Sequence, residues 1–188
     1  MAVRRILITG DPTLHSVAVP VTDFGPQLAD LVHDLEETMA AAPGVGLAAP
    51  QVGVGLRVFV YNWRDPEGVI HRGTAVNPEL FITPVPIGEP DEDDESEGCL
   101  SLPGERFPLR RAERAILRAV DAEGVAYEVE ASGWLARIFQ HEFDHLNGVL
   151  YADRLTYPHL KVAAKVIRKK SWGVPGISWM PGIDNLDD

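Results

Sequence analysis

The segment QHEFDHLNG, residues 140–148, constrains the fold of this chain more than any other. His141 and His145 are four residues apart, so on a helix both imidazoles point to one side and can bind the same metal ion. Glu142 lies about 100° further round the helix, where it can address a metal-bound water without being a ligand. On a helical wheel the three share an arc with apolar residues, namely Trp134, Leu135, Ile138 and Leu146. The sequence therefore predicts a helix whose polar trio faces the interior.

Burial of this trio favours a metal site, because buried polar groups cost free energy unless each has a partner. Catalytic metal sites usually have three protein ligands, and the metzincin pattern HExxHxxGxxH would supply a third histidine. Gly148 matches that glycine, but Tyr151 stands where the last histidine would be. Cys99, the only cysteine, lies upstream and is one candidate, since a thiolate is a strong ligand. A lone cysteine is also commonly a small buried apolar residue, so both interpretations stay open at this point.

Hydrophobic spacing and turn residues predict an α+β fold with mixed or antiparallel short strands around the HExxH helix. Helices are expected over residues 27–41, 133–147 and 159–170, the last two being the metal-site helix and a C-terminal helix. Strands are expected in RVFVYN from Arg57, TAVNPELFIT from Thr74, AILRAVD from Ala115 and VAYEVEA from Val125, the last two joined as a hairpin. We expect one catalytic domain over 1–170 and an irregular arm over 171–188 that packs on it or is flexible.

Charge and hydropathy exclude several classes of protein. The net charge of −11 argues against DNA binding, which requires neutralising phosphates with Lys and Arg. No apolar run is long enough for a transmembrane helix and the N-terminus lacks a secretory signal, so we expect a cytoplasmic protein without membrane contacts. Seven of the nine residues in 89–97 are acidic and predict a solvated loop, while Lys161, Lys165, Arg168, Lys169 and Lys170 form a basic cluster.

Three motifs in order, GVGLAAPQ (44–51), EGCLSLP (97–103) and QHEFDHLNG, resemble the signature motifs of the peptide deformylases, and the resemblance extends to about Leu155. It implies a hydrolase that removes the formyl group from the N-terminal N-formylmethionine of nascent polypeptides and releases formate. It implies that Cys99, His141 and His145 hold one divalent metal, natively Fe(II), with Zn(II) or another divalent ion in a purified sample. A metal-bound water would be the nucleophile and Glu142 the general base and acid. The Gln51 side chain and the Leu100 backbone N–H would form the oxyanion hole.

The same resemblance predicts the substrate pocket. It places around the methionine side chain and peptide the residues Val45, Gly46, Glu97, Gly98, Arg106, Trp134, Arg137 and Ile138. Gly44 and Gly46 would let a peptide approach closely and pair like an added strand. Arg137 departs from the apolar residue of many relatives, and its place at the polar edge of the helical wheel predicts that it rims the pocket rather than lining it. From its position outside the trio's arc, Asp144 is expected either to pair with Arg111 and steady the ligand helix or simply to be exposed to solvent.

Two other classes of protein fit part of the pattern. A zinc peptidase of the HExxH type would not need Cys99 as a ligand, so metal content after Cys99→Ala distinguishes it. A ribosome-associated binding protein with a structural metal would have a closed shell of four ligands, whereas three ligands and a base are found here. Relatives in the resembling family are thought to dock on the ribosome through a C-terminal helix. In that helix the residues expected to turn toward the domain are Leu160, Ala163, Val166 and Ile167, so that Lys161, Lys165 and Arg168 face outward. This basic face is either a ribosome-docking surface or the solvated side of a capping helix.

Overall fold

The computed structural model describes residues 2–184, and over them the chain has an α+β fold, as predicted. Its helices are α1 (Pro26–Ala41), α2 (Gly133–Leu146) and α3 (His159–Lys169), and each end lies within one residue of the prediction. The strands are β1 (Ile6–Leu7), β2 (Gly46–Ala48), β3 (Val58–Arg64), β4 (Ile70–Ile82), β5 (Ser96–Cys99), β6 (Leu102–Pro108), β7 (Arg114–Val120), β8 (Ala126–Ser132) and β9 (Ser178–Trp179).

A central antiparallel sheet has the strand order β2-β3-β4-β7-β8 among the described residues. The predicted hairpin is confirmed, since β7 and β8 pair from Arg114 opposite Ser132 to Val120 opposite Ala126. β4 begins at Ile70, four residues before the predicted start, because its first half pairs with the whole of β3. The strand β2 lies at one edge of this sheet, so one side of its backbone has no neighbouring strand in it.

The two longer helices pack on opposite faces of this sheet. Along β3, Val58 and Val60 belong to the apolar cluster that includes α1, whereas Phe59 and Tyr61 belong to the cluster that includes α2. This alternation is the period of two expected of an extended strand. Because both faces are covered, all four side chains are buried, and β3 reads in the sequence as a continuous apolar run.

Helix α3 lies on the body with less apolar contact than predicted. Ala163 is buried and Val166 and Ile167 are half-buried, but Leu160 is 48% exposed, so the expectation that it turns toward the domain is wrong. The basic residues Lys161, Lys165, Arg168, Lys169 and Lys170 are all exposed. No helix in the described part of the chain is long and apolar enough to cross a membrane.

The segment after α3 returns across the body of the protein. β9 pairs antiparallel with β1, with Ile6 opposite Trp179 and Leu7 opposite Ser178. Trp179 is 5% exposed and joins the apolar cluster that includes α1. Residues 185–188 of the predicted arm lie outside the described part of the chain.

Candidate active site

Helix α2 directs its polar residues inward, as the helical wheel predicts. His145 is 1% exposed, Glu142 is 4% exposed and the His141 side chain is 11% exposed. The helix ends before Gly148, whose φ of 71° is left-handed. A Cβ at Gly148 would lie within 2.9 Å of the His15 and Ser16 backbone, so only glycine allows the chain to turn away this close to the first segment.

Cys99 stands at the end of β5 beside the two histidines. One ligand atom from each of Cys99, His141 and His145 lies within 4.8 Å of the others, and the Cys99 sulfur is 3.4 Å from Nε2 of His145. Burial lowers the pKa of His145, and so does the nearby His141, which favours the neutral imidazole that metals bind. A thiolate and two imidazoles are a donor set suited to Zn(II) or Fe(II). The three residues therefore fit a single transition-metal ion.

A network of buried charges links helix α2 to β5. The Arg111 guanidinium donates to Glu97 through Nε (2.8 Å) and Nη2 (3.0 Å), and to Asp144 through Nη1 (2.6 Å). The predicted Asp144–Arg111 pair is thus confirmed, and Arg154 also donates to Asp144. Arg111 thus joins Glu97 of β5 to Asp144 of α2. Separating the two elements would leave a buried charge without a partner, so the network holds α2 against β5.

Glu97 ends the acidic run, but it is buried rather than solvated. Its Oε2 lies 3.0 Å from Nδ1 of His141, which leaves Nε2 of that ring for a metal. Burial would raise the pKa of Glu97, but hydrogen bonds from His141 and Arg111 hold it well below its usual range. The expectation of a solvated loop is therefore wrong for this residue, which reaches across to α2. With its carboxylate so engaged, we expect Glu97 to orient His141 rather than contact the substrate.

Arg137 is also buried, contrary to the expectation that it lies at the exposed rim. Its side chain is 10% exposed, and Nη1 donates to Glu97 Oε1 (2.7 Å) and to the Leu109 carbonyl (2.6 Å). Its Nη2 lies 3.3 Å from Glu95, so a second member of the acidic run is paired. A helical wheel considers α2 alone. In the folded protein β5 and the loop before it cover Arg137 and supply the carboxylates of Glu97 and Glu95.

Glu142 is buried against β2 without a full set of partners. Its Oε2 has no hydrogen-bond partner among the described residues. Burial raises the pKa of Glu142 to about 7, against an ordinary value of 4.5. A Cβ on Gly46 would lie 2.3 Å from Glu142 Oε1, so this glycine makes room for the carboxylate. An unpartnered buried carboxylate beside a metal-binding set fits a water held between them.

The predicted oxyanion-hole residues lie next to Cys99. Gln51 accepts a hydrogen bond from the Ala48 backbone N–H through Oε1 at 2.8 Å, which turns its Nε2 toward the site. That nitrogen lies 3.3 Å from Ser101 Oγ and 3.8 Å from the Cys99 sulfur. Gln51 is 1% exposed, so its side-chain N–H groups are shielded from bulk water.

A cavity of about 920 Å³ connects these groups. Every predicted site residue lines it except His145, which is 1% exposed. The lining also includes residues that the motifs did not reveal, namely Trp63, Arg64, Asp65, Pro66, Glu105, Trp179, Gly182 and Asp184. These come from the end of β3 and the two residues after it, from β6 and from the C-terminal segment, where the sequence carries no local sign of a site.

The HExxH helix, the cysteine ligand and the buried glutamate beside an open cavity are the arrangement of a metal-dependent hydrolase. Comparison with known proteins shows which family of metal-dependent hydrolases the chain belongs to. A model of the polypeptide deformylase family matches residues 3–161. A peptide deformylase from Mycobacterium sp. (strain JLS) is 49% identical over 191 residues, which cover 98% of this chain and 97% of that one.

Solved structures agree with the sequence comparison. The crystal structure of a peptide deformylase from Legionella pneumophila superposes with a TM-score of 0.75 at 38% identity, over 90% of this chain and 96% of that one. One from Synechococcus elongatus in complex with actinonin has a TM-score of 0.76 at 31% identity, over 92% of this chain and 90% of that one. The chain belongs to the polypeptide deformylase family, a family of metalloenzymes, and is accordingly a hydrolase.

Proposed function

We propose that this deformylase removes the formyl group from N-formylmethionine at the start of nascent polypeptides by the attack of water, with Glu142 as the base. The observation that carries the proposal is the buried cluster of Cys99, His141 and His145 with the unpartnered Glu142 carboxylate beside it. The family membership supports the same substrate and reaction. The alternatives of a peptidase and of a binding protein with a structural metal have no such support.

Cys99, His141 and His145 would hold the divalent ion, which we propose to be Fe(II) in the cell and Zn(II) or another ion in purified samples. When bound, such an ion acts as a Lewis acid and makes an adjacent water a stronger nucleophile at neutral pH. Its charge would also favour the ionised form of Glu142 and lower the pKa of that carboxyl. The Glu97 carboxylate keeps Nδ1 of His141 occupied, so the ring presents Nε2 to the ion.

Glu142 moves the protons of the proposed reaction. Its carboxylate accepts a proton from the attacking water, and the same group returns the proton to the methionine nitrogen as the C–N bond breaks. The products are formate and a free N-terminus. The Gln51 side-chain amide and the Leu100 backbone N–H would donate to the oxygen that becomes negative in the tetrahedral intermediate. The Ala48 N–H holds the Gln51 amide by its oxygen, so the side-chain N–H groups would need little reorganisation as charge develops.

The peptide would bind along β2. That strand is an edge of the central sheet and lies next to Glu142, so an extended peptide could pair with it and present its formyl end to the base. Val45, 42% exposed, and Trp134, 39% exposed, offer apolar surface in the cavity for the methionine side chain. We propose that Gly98, Arg106, Arg137 and Ile138 complete the pocket.

Formate release from a formyl-Met tripeptide by the purified, metal-loaded protein tests the proposed function. We expect turnover of the formylated peptide and no cleavage of its internal peptide bonds. Glu142→Ala should retain the metal and keep less than about a tenth of the activity, because Glu142 handles protons without being a ligand. Cleavage of internal bonds, or a Glu142→Ala variant with near-parental turnover, would contradict the proposal.

We further propose that the exposed basic face of α3 docks on the ribosome. Lys161, Lys165 and Arg168 are exposed on one side of a helix, and ribosomal RNA is polyanionic. Changing these three to Glu should lower ribosome co-sedimentation and leave hydrolysis of a short formylated peptide intact. A charge-matched control changes to Glu three exposed arginines of the central sheet, Arg72, Arg114 and Arg118. The docking surface would be refuted if co-sedimentation fell equally in both triple variants. It would also be refuted if co-sedimentation of the α3 variant were unchanged and did not depend on salt.

A further inference from the structure

The turn at Leu100 and Ser101, directly after Cys99, is held from two sides by distant parts of the chain. The indole Nε1 of Trp179 donates to the Leu100 carbonyl at 2.8 Å. The Thr9 backbone N–H donates to the Ser101 carbonyl at 2.9 Å. The N–H of Ser101 in turn donates to the Cys99 sulfur, with a distance of 3.4 Å between nitrogen and sulfur. The backbone beside the cysteine ligand is therefore held by Thr9 from the N-terminal segment and by Trp179 from the C-terminal segment.

Trp179 is placed for this contact by strand pairing. It lies opposite Ile6 in the β1–β9 pair, and the Ile8 N–H donates to the Ile177 carbonyl at 3.0 Å, which extends the pairing by one more bond. The indole is 5% exposed and also lines the cavity. The family match ends at residue 161, so Trp179 lies outside the part of the chain that the family model describes.

The peptide group between Leu100 and Ser101 links the indole to the sulfur. Its carbonyl oxygen accepts from Trp179 and its N–H donates to Cys99. Hydrogen bonds in such a chain polarise one another, so a donor on the carbonyl makes the N–H a stronger donor to the sulfur. Hydrogen bonds to a metal-binding thiolate tune its donation to the metal, and they also fix its direction.

We propose that Trp179 is a positioning residue, which acts through the Leu100–Ser101 peptide on the Cys99 sulfur and on the adjoining Leu100 N–H. The inference rests on the proposed function, in which Cys99 is a metal ligand. The C-terminal segment thereby completes the active site although it supplies no ligand. Loss of the indole N–H lets this peptide rotate and leaves the thiolate with a weaker hydrogen bond.

The test compares Trp179→Phe with Trp172→Phe. The control residue lies in the same C-terminal segment and packs against the same apolar cluster, but it is not part of the cavity lining. Both proteins are loaded with Co(II), and the thiolate-to-cobalt absorption band, the Co(II) affinity and formyl-peptide kinetics are measured. For Trp179→Phe we expect the band at longer wavelength, Co(II) affinity and kcat each lower by about 3- to 10-fold, and KM little changed. Trp172→Phe should match the parent in all four.

The parent and Cys99→Ser separate this inference from the proposed function. A parent without a thiolate-to-cobalt band, or with one that survives in Cys99→Ser, would overturn both. A parent band that depends on Cys99 but is the same in Trp179→Phe and Trp172→Phe would overturn only the role of Trp179. If thermal unfolding shows that Trp179→Phe is not folded, the Trp179 indole is replaced site-specifically by benzothiophene. This replacement keeps the bicyclic shape and removes only the N–H. An unaltered band and kcat in that protein would likewise overturn the inference.

Discussion

Replacing Glu142 by glutamine should stabilise the metal-free protein, and it should remove the activity of the metal-loaded protein. Burial raises the pKa of Glu142 from 4.5 to about 7. The folded protein therefore binds this proton more tightly than the unfolded chain does. The resulting stability is fully present below the unfolded pKa and is lost as the pH rises through the folded one. At about 1.4 kcal/mol per pKa unit, the loss above the folded pKa amounts to about 3 kcal/mol.

Glutamine has the shape of the protonated glutamic acid and stays neutral at every pH. The difference in unfolding free energy between Glu142→Gln and the parent should therefore grow by about 2 kcal/mol between about pH 5.5 and about pH 8.5. Urea unfolding of both metal-free proteins at the two pH values measures this difference, in which contributions from the other titrating groups largely cancel. A bound divalent cation favours the carboxylate, so the gain should shrink in the Zn(II)-loaded proteins.

Two results would refute this reasoning. A stability difference that does not change with pH would mean that the folded protein does not raise the pKa of Glu142. A parent more stable than Glu142→Gln at about pH 8.5 would mean that the ionised carboxylate has a partner that the structure does not reveal. Either result would also contradict the description of Glu142 as a buried carboxylate without a full set of partners, on which its proposed role as the base rests.

Three further substitutions test other parts of the site. Cys99→Ser should lower metal affinity at least about tenfold, because a hydroxyl is a poor anionic ligand at neutral pH, and unchanged affinity in a metal titration would remove Cys99 from the ligand set. Arg111→Met should lower the unfolding free energy by about 3–5 kcal/mol by removing one cationic partner from each of two buried carboxylates, and a loss under about 1 kcal/mol in urea would contradict this. Gly46→Ala should displace the Glu142 carboxylate and reduce kcat by at least about tenfold with metal content retained. The control Gly55→Ala, whose Cβ meets nothing within 4 Å, should keep the parental kcat. Equal kcat values for the two variants would argue against the close packing of Gly46 on Glu142.

The sequence alone determined the parts of this protein that depend on local spacing. The HExxH spacing places two imidazoles and a carboxylate on one side of α2 whatever surrounds that helix, and the apolar arc predicts correctly that this side is buried. The ends of the three helices follow from turn residues and apolar periodicity in the same way. The Asp144–Arg111 pair was only one of two possibilities, because an acidic residue outside the polar trio's arc can also be exposed to solvent; the tertiary structure decided between them.

Only the tertiary structure decided the surroundings of that helix. β5 and β6 run through SEGC and LPGERFP, whose glycines and prolines disfavour strands, and they form because they pair with each other. That pairing buries Glu97 and Arg137, which a helical wheel and a charge count place in solvent. The bond from Trp179 to Leu100 spans 79 residues. Such contacts depend on which segments the fold brings together, and periodicity within a segment carries no information about them.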